Sequence, residues 1–196
     1  MKKNILSLIF VFAICGYTQA QDVLYGGLRI APNFSVFTDK VNNKIGSGVG
    51  YSIGYFEVAE LTSKINLQAE INYSAYAFVD NSVTKTTTTT TLTNLELPIM
   101  VKYRIVDAFS IGAGYQFNIL NQQFRTKSIF TEVEGLDPDR KTDLPGSSSQ
   151  GYFIDANFKT GSVLLGLRVL QNADDFYLPN KRSVNIGLYA AFAIFK

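Results

Sequence analysis

Strict two-residue alternation is the feature that most constrains this chain. Between residues 64 and 74 the even positions are polar, namely Lys64, Asn66, Gln68, Glu70, Asn72 and Ser74, and the odd positions of 64–77 are apolar. Residues 94–105 repeat the pattern, with Leu95, Leu97, Ile99, Val101, Tyr103 and Ile105 on the apolar side. Successive side chains of a β-strand point to opposite faces, so each segment has one apolar and one polar wall. Strands this long and this regular predict a closed barrel.

The alternation recurs in eight segments along the chain. They cover residues 23–37, 47–58, 64–77, 94–105, 108–120, 151–159, 162–171 and 183–195. Short links at 59–63, 106–107 and 160–161 alternate with longer links at 38–46, 78–92, 121–150 and 172–182. Short periplasmic turns and long extracellular loops are typical of outer-membrane barrels. The sequence therefore predicts an all-β protein, an eight-stranded antiparallel up-and-down transmembrane β-barrel.

The first 20 residues have the pattern of a secretory signal peptide. Lys2 and Lys3 precede an apolar run from Ile5 to about Cys15, and Ala20 provides a small residue before cleavage. We expect residues 21–196 to form the barrel domain. Loss of the segment removes the only cysteine and two of 18 basic residues, leaving 16 basic against 16 acidic. A neutral chain without a basic block gives no reason to expect nucleic-acid binding.

Alternation alone fits two kinds of barrel, since a soluble lipocalin-type barrel would turn the same apolar face inward. Three observations favour the membrane. Glycines occupy the polar face at positions 27, 48, 50, 54, 112, 114, 166 and 187. Apolar-face aromatics lie near strand ends, as an interfacial girdle requires, at Tyr73, Tyr103, Phe109, Phe117, Tyr152 and Phe158. The third observation is the asymmetry of link lengths, and together they predict the outer membrane.

This orientation turns eight charged residues into the lumen: Arg29, Glu70, Glu96, Lys102, Arg104, Asp155, Lys159 and Arg168. An eight-stranded barrel is wide enough only for its own side chains, and unpaired buried charges are costly. We predict a salt-bridged plug, with a small channel as the alternative. Folding neighbouring strands together predicts Glu70 opposite Lys102, Gln68 opposite Arg104, and Asp155 near Arg168.

Catalysis and metal binding have little support in the sequence. The chain has no histidine, and the expected mature chain has no cysteine, so a histidine-activated serine and the usual zinc ligands are both missing. The acidic residues Glu132, Glu134, Asp137, Asp139 and Asp143 lack the remainder of a calcium loop. We expect no enzymatic activity, no cofactor and no metal, and a lipid-modifying enzyme stays as a minor alternative.

Basic residues near the outer rim are candidate contacts for lipopolysaccharide phosphates: Lys40, Lys44, Lys85, Arg125 and Lys127. Ordinary loop solubility explains them nearly as well. The threonine run 86–91 favours extended chain and predicts a ribbon that rises above the membrane. We expect a monomer that contacts outer-membrane lipid, lipopolysaccharide and, during insertion, the barrel assembly machinery. Its role is structural or one of loop-mediated binding at the cell surface, and the alternative is an accessory role in a secretion or envelope assembly.

Four stretches resemble one family. Asn94–Arg104, with the sequence NLELPIMVKYR, is similar to the fourth strand of the PorT-like outer-membrane β-barrel proteins of Bacteroidetes. Residues Tyr25–Ser35, Ile111–Tyr115 and Gly166–Arg168 resemble the first, fifth and seventh strands of that family. The resemblance spans residues 22–196 and implies a fold and an outer-membrane location. It implies no reaction, because the shared motifs belong to the barrel wall.

Overall fold

The computed structural model describes residues 23–39, 45–83, 86–129, 150–172 and 181–195. Eight strands occupy these ranges: β1 (Val23–Asp39), β2 (Ile45–Glu60), β3 (Ile65–Val83), β4 (Thr86–Val106), β5 (Phe109–Ile129), β6 (Gly151–Thr160), β7 (Val163–Asn172) and β8 (Lys181–Phe195). Each pairs antiparallel with its neighbours in sequence, and β8 pairs with β1, which closes the barrel. The predicted fold class is confirmed.

Three short connections lie at one end of the barrel, at residues 61–64, 107–108 and 161–162. They match the predicted short links to within a residue or two. The predicted long link 78–92 is wrong, because β3 continues to Val83 and β4 begins at Thr86. The link 121–150 also begins too early, since β5 runs to Ile129. β-Branched threonines favour extended chain, and here they pair with both neighbouring strands.

The exposed face of the wall is apolar. Among its exposed side chains are Leu28, Ile30, Phe34, Tyr51, Ile71, Tyr73, Val101, Tyr103, Ile111, Phe117, Tyr152, Ile154, Phe158, Leu165, Leu188 and Phe192. Asn, Gln, Ser and charged side chains are buried on the inside. The wall therefore has the orientation of a membrane barrel and not of a lipocalin. No helix within the described ranges has the length and hydrophobicity needed to cross a bilayer.

Strands β3, β4 and β5 are the three longest strands of the barrel, although β1, β2 and β8 also exceed β6 and β7. Strands β6 and β7 have 10 residues each, which is the length of a tilted membrane-crossing strand, about 9–11 residues. Strands β3, β4 and β5 have 19, 21 and 21 residues. Pairing of β5 with β6 ends at Gln116 and Gly151, whereas pairing of β5 with β4 continues to Ile129 and Thr86. We call the outermost ladder of these three strands, formed by residues 77–83 of β3, 86–91 of β4 and 124–129 of β5, the outer ribbon.

Gly161 is the first residue of the two-residue turn between β6 and β7, and its φ is 59°. A Cβ added there would meet nothing within 4 Å, so any cost of substitution is conformational. We expect Gly161→Val to lower the free energy of unfolding by about 1–2 kcal/mol, because a β-branched residue is disfavoured in the left-handed region. Gly161→Asn is the control and should cost less. Urea unfolding in lipid vesicles measures the stability of both variants. Equal losses would contradict the left-handed backbone conformation at Gly161.

Candidate functional site

The inside of the barrel holds a neutral set of buried charges. Six charged side chains are at most 5% exposed: Arg29, Glu70, Glu96, Lys102, Asp155 and Arg168. Three are cations and three are carboxylates. A balanced set allows these charges to be buried together, because an isolated charge in a low-dielectric interior is very costly. We call these six residues the lumen charge network.

Arg168 on β7 is the centre of the lumen charge network. Its Nη1 and Nη2 donate to the two carboxylate oxygens of Glu70 at 2.9 and 2.6 Å. Its Nε donates to Asp155 Oδ2 at 3.0 Å. The guanidinium carbon also lies 4.4 Å from the centroid of the Phe153 ring. Two-bond guanidinium–carboxylate pairs are among the strongest side-chain interactions, so this residue ties β3, β6 and β7 together across the lumen.

Asp155 collects three further contacts on its other oxygen. The Tyr189 hydroxyl donates to Oδ1 at 2.9 Å, and the Asn157 amide donates to the same atom at 3.1 Å. The Lys102 ammonium lies 3.4 Å from it. Lys102 on β4 and Arg168 on β7 therefore compensate the negative charge of this carboxylate, and two neutral donors complete its hydrogen bonds.

Glu70 is enclosed in the same way. The side-chain amides of Gln68 and Asn72, its neighbours along β3, donate to its two oxygens at 2.6 and 2.9 Å. Nη1 of Arg29 lies 3.7 Å from its Oε2. The Arg29 guanidinium carbon is also 4.4 Å from the centroid of the Tyr189 ring. Both oxygens of the carboxylate thus accept hydrogen bonds, and two guanidinium groups compensate its charge. This makes Glu70 unsuited to act as a general base.

Glu96 lies further from the short-turn end. The Ser74 hydroxyl donates to its Oε2 at 2.7 Å, and the Tyr76 hydroxyl lies at 3.4 Å from Oε1. The Asn94 amide contacts the same Oε1 at 3.5 Å. Hydroxyl and amide donors therefore surround this carboxylate.

Glycines make room for the large side chains that cross the lumen. A Cβ on Gly166 would collide with the ring of Tyr189, and a Cβ on Gly114 would lie 2.7 Å from Cζ of Phe153. These rings contact the guanidinium groups of Arg29 and Arg168. The lumenal glycines of the sequence thus mark where the lumen charge network needs space.

The lumen also contains apolar side chains, of which Phe56, Val58, Leu164 and Leu170 were not assigned to it from the sequence. One buried cluster contains Tyr25, Ala31, Phe56, Val58, Leu164, Tyr189 and Ala191, and another contains Met100, Phe153 and Leu170. Extending the alternation past Gly54 and to either side of Arg168 would have found Phe56, Val58, Leu164 and Leu170. The interior is therefore a mixed plug, part ionic and part apolar.

The sequence-predicted lumen residues divide into two groups. Six form the lumen charge network, while Arg104 and Lys159 are partly buried and line a cavity near the short turns. Asp155 and Arg168 are register partners and form an ion pair at 3.0 Å, as expected. The predicted register of Glu70 with Lys102 and of Gln68 with Arg104 is wrong. Lys102 lies opposite Asn66, and Gln68 lies opposite Met100.

The predicted rim contacts fall mostly beyond the described residues. Lys40, Lys44 and Lys85 lie outside them, as do the acidic residues of 132–143 and the predicted signal peptide. The backbones of Arg125 and Lys127 belong to β5, opposite Thr90 and Thr88 of β4. Within the described ranges, no group of three or more metal-ligating side chains comes together.

Comparison with known proteins identifies the class of barrel. The family model described as the outer membrane protein beta-barrel domain matches residues 19–195. The chain belongs to this family. No curated protein sequence matches the barrel significantly.

Solved structures give the same fold at low sequence identity. The barrel matches Ail, the attachment invasion locus protein of Yersinia pestis, in complex with the heparin analogue sucrose octasulfate. The TM-score is 0.56 at 9% identity, over 86% of this chain and 97% of that one. Neisserial surface protein A matches with a TM-score of 0.53 at 8% identity, over 85% and 96%. The protein is an outer-membrane barrel, and its short turns therefore face the periplasm.

Proposed function

We propose that the protein is a non-enzymatic barrel whose outer ribbon and loops bind an anionic glycan at the cell surface, with lipopolysaccharide as the nearest source. The observation that carries this proposal is the outer ribbon above a plugged lumen. In β5 the outer ribbon covers residues 124–129, opposite the threonines of β4. At about 3.3 Å per residue they add roughly 20 Å of strand. A protein that only sealed the membrane would need no such extension.

Charge favours an anionic ligand. Arg125 and Lys127 belong by their backbones to the β5 part of the outer ribbon. The sequence has further cations, Lys40 and Lys44 between β1 and β2 and Lys85 between β3 and β4. Neighbouring positions of β4 are threonines, whose hydroxyls both donate and accept hydrogen bonds. A pair of strands rich in cationic and hydroxyl-bearing residues suits phosphate or sulfate groups carried on sugars.

We also propose that, within its family, the protein belongs with the PorT-like barrels of Bacteroidetes. The segment Asn94–Arg104 supports this assignment, since its proline and its Lys-Tyr pair lie in the wall of β4.

Binding of sucrose octasulfate to the purified full-length protein tests the glycan proposal. We expect saturable binding at low salt that weakens as salt rises, since exposed charges are screened. Arg125→Gln with Lys127→Gln should weaken it about tenfold. Lys64→Gln is the control, because Lys64 is an exposed cation at the periplasmic turn and should leave affinity unchanged. Equal affinities in all three proteins, or no binding, would reject the proposal.

A further inference from the structure

A polar cavity of about 210 Å³ lies at the periplasmic end of the lumen. Its lining residues are Tyr25, Asn66, Arg104, Asp107, Ser110, Asn157 and Lys159. Asn157 also donates to Asp155, so the cavity reaches the lower side of the lumen charge network. Asp107 is exposed in the short turn between β4 and β5, which places the other end of the cavity at the periplasm. We call this space the periplasmic cavity.

The charge of the periplasmic cavity is positive. Arg104 and Lys159 supply two cations, and Asp107 supplies one carboxylate. The Lys159 ammonium lies 4.2 Å from the centroid of the Tyr25 ring, so the ring holds this cation at the cavity wall. The Arg104 guanidinium, the Ser110 hydroxyl and the Tyr25 hydroxyl are further hydrogen-bond donors.

Asn66 shows that the wall of the cavity has an unfilled hydrogen-bonding position. The residue is 3% exposed, and its carboxamide oxygen has no hydrogen-bond partner among the described residues. A buried polar atom without a partner costs about 1–3 kcal/mol. A carboxamide oxygen only accepts hydrogen bonds, so a protonated phosphate oxygen or a bound water that donates to it can complete this contact.

We propose that the periplasmic cavity binds a phosphate-sized oxyanion. A guanidinium fork matches the spacing of phosphate oxygens, and an ammonium with two hydroxyls provides the remaining donors. The volume is several times the roughly 30 Å³ of one water molecule, so a tetrahedral anion and some of its water fit. Inorganic phosphate and the phosphate of an inner-leaflet phospholipid head group both have this chemistry. The site is independent of the proposed glycan site, because it lies at the opposite end of the barrel.

Calorimetric titration of the protein in an uncharged maltoside detergent tests the proposal in two arms. One arm uses inorganic phosphate, and the other uses a short-chain phosphatidylglycerol below its micelle concentration. We expect saturable binding in at least one arm, and the arm with the higher affinity identifies the source. Arg104→Gln and Lys159→Gln should each weaken binding about tenfold, because each removes a charged hydrogen-bond donor.

Asp107→Asn provides the matched test with the opposite sign. Removing this exposed carboxylate should strengthen anion binding severalfold. The substitution should leave folding intact, because Asp107 is exposed in a turn. Lys64→Gln should change nothing, since Lys64 lies on the neighbouring turn and does not line the cavity. Heat-modifiable migration on gels shows that each variant is folded. No saturable binding in either arm, unchanged affinity in Arg104→Gln, or weaker binding in Asp107→Asn would each overturn the proposal.

Discussion

Replacing Arg168 with methionine is expected to lower the free energy of unfolding by about 3–5 kcal/mol. Arg168 donates three hydrogen bonds to Glu70 and Asp155, both of which are buried. Methionine has a similar length but leaves Glu70 with two amide donors and the longer contact to Arg29. Three buried carboxylates would then face two cations, and water cannot easily replace the lost guanidinium. Urea unfolding in lipid vesicles, followed by heat-modifiable migration, measures the loss.

The double variant Glu70→Gln, Arg168→Met separates ion pairing from packing. Removing both partners leaves two buried cations, Arg29 and Lys102, and two buried carboxylates, Glu96 and Asp155, so the buried charge is again balanced. We expect the double variant to lose clearly less stability than the two single losses added together. Additive losses would show that Arg168 acts through packing alone.

The wild-type barrel is expected to carry no ionic current, whereas the double variant Glu70→Ser, Arg168→Ser is expected to conduct. On the outer side of the lumen charge network, a cavity of about 20 Å³ is bounded by Asn72 and Arg168, among others. On the inner side, the periplasmic cavity reaches Asn66. On β3 only Gln68 and Glu70 lie at inward positions between these levels. Two serines would leave water-filled space there and would keep the numbers of buried cations and carboxylates equal.

Single-channel recording in planar bilayers checks this expectation. The double variant should show discrete current steps that wild-type protein lacks. Ile30→Ala with Ile154→Ala is the control, because both residues are exposed on the lipid face and their loss leaves the plug intact. Steps of equal size in wild-type protein would make the small-channel alternative the better description. Silence in the double variant would show that the apolar clusters seal the lumen by themselves.

Turn length explains which ion pairs could be predicted from the sequence. Asp155 and Arg168 flank a two-residue turn, and such a turn fixes the register of its hairpin. Glu70 and Lys102 flank a link that the pattern shows only as a loop of about 15 residues. The strands in fact continue through most of that link, so Lys102 lies opposite Asn66. Alternation gives the face of a residue, and only a tight turn gives its partner.

Contacts between strands on opposite sides of the lumen could not be predicted from the sequence. Glu70 and Arg168 are 98 residues apart, and their strands are not neighbours in the sheet. Their meeting depends on barrel closure and strand stagger, which no local pattern encodes. The lumenal positions of the apolar residues Phe56 and Leu164, in contrast, follow from the alternation alone. Phe56 continues the inward even positions of β2, and Leu164 continues those of β7.

The way Arg168 bridges the barrel has a consequence for biogenesis. Glu70 and Lys102 occupy β3 and β4, whereas their closest ionic partners, Arg168 and Asp155, occupy β7 and β6. A nascent barrel that contains only the earlier strands therefore holds these charges without those partners. These ion pairs can form only when the last strands are added. Partly inserted intermediates therefore carry unpaired charges, and the closed barrel is favoured over them.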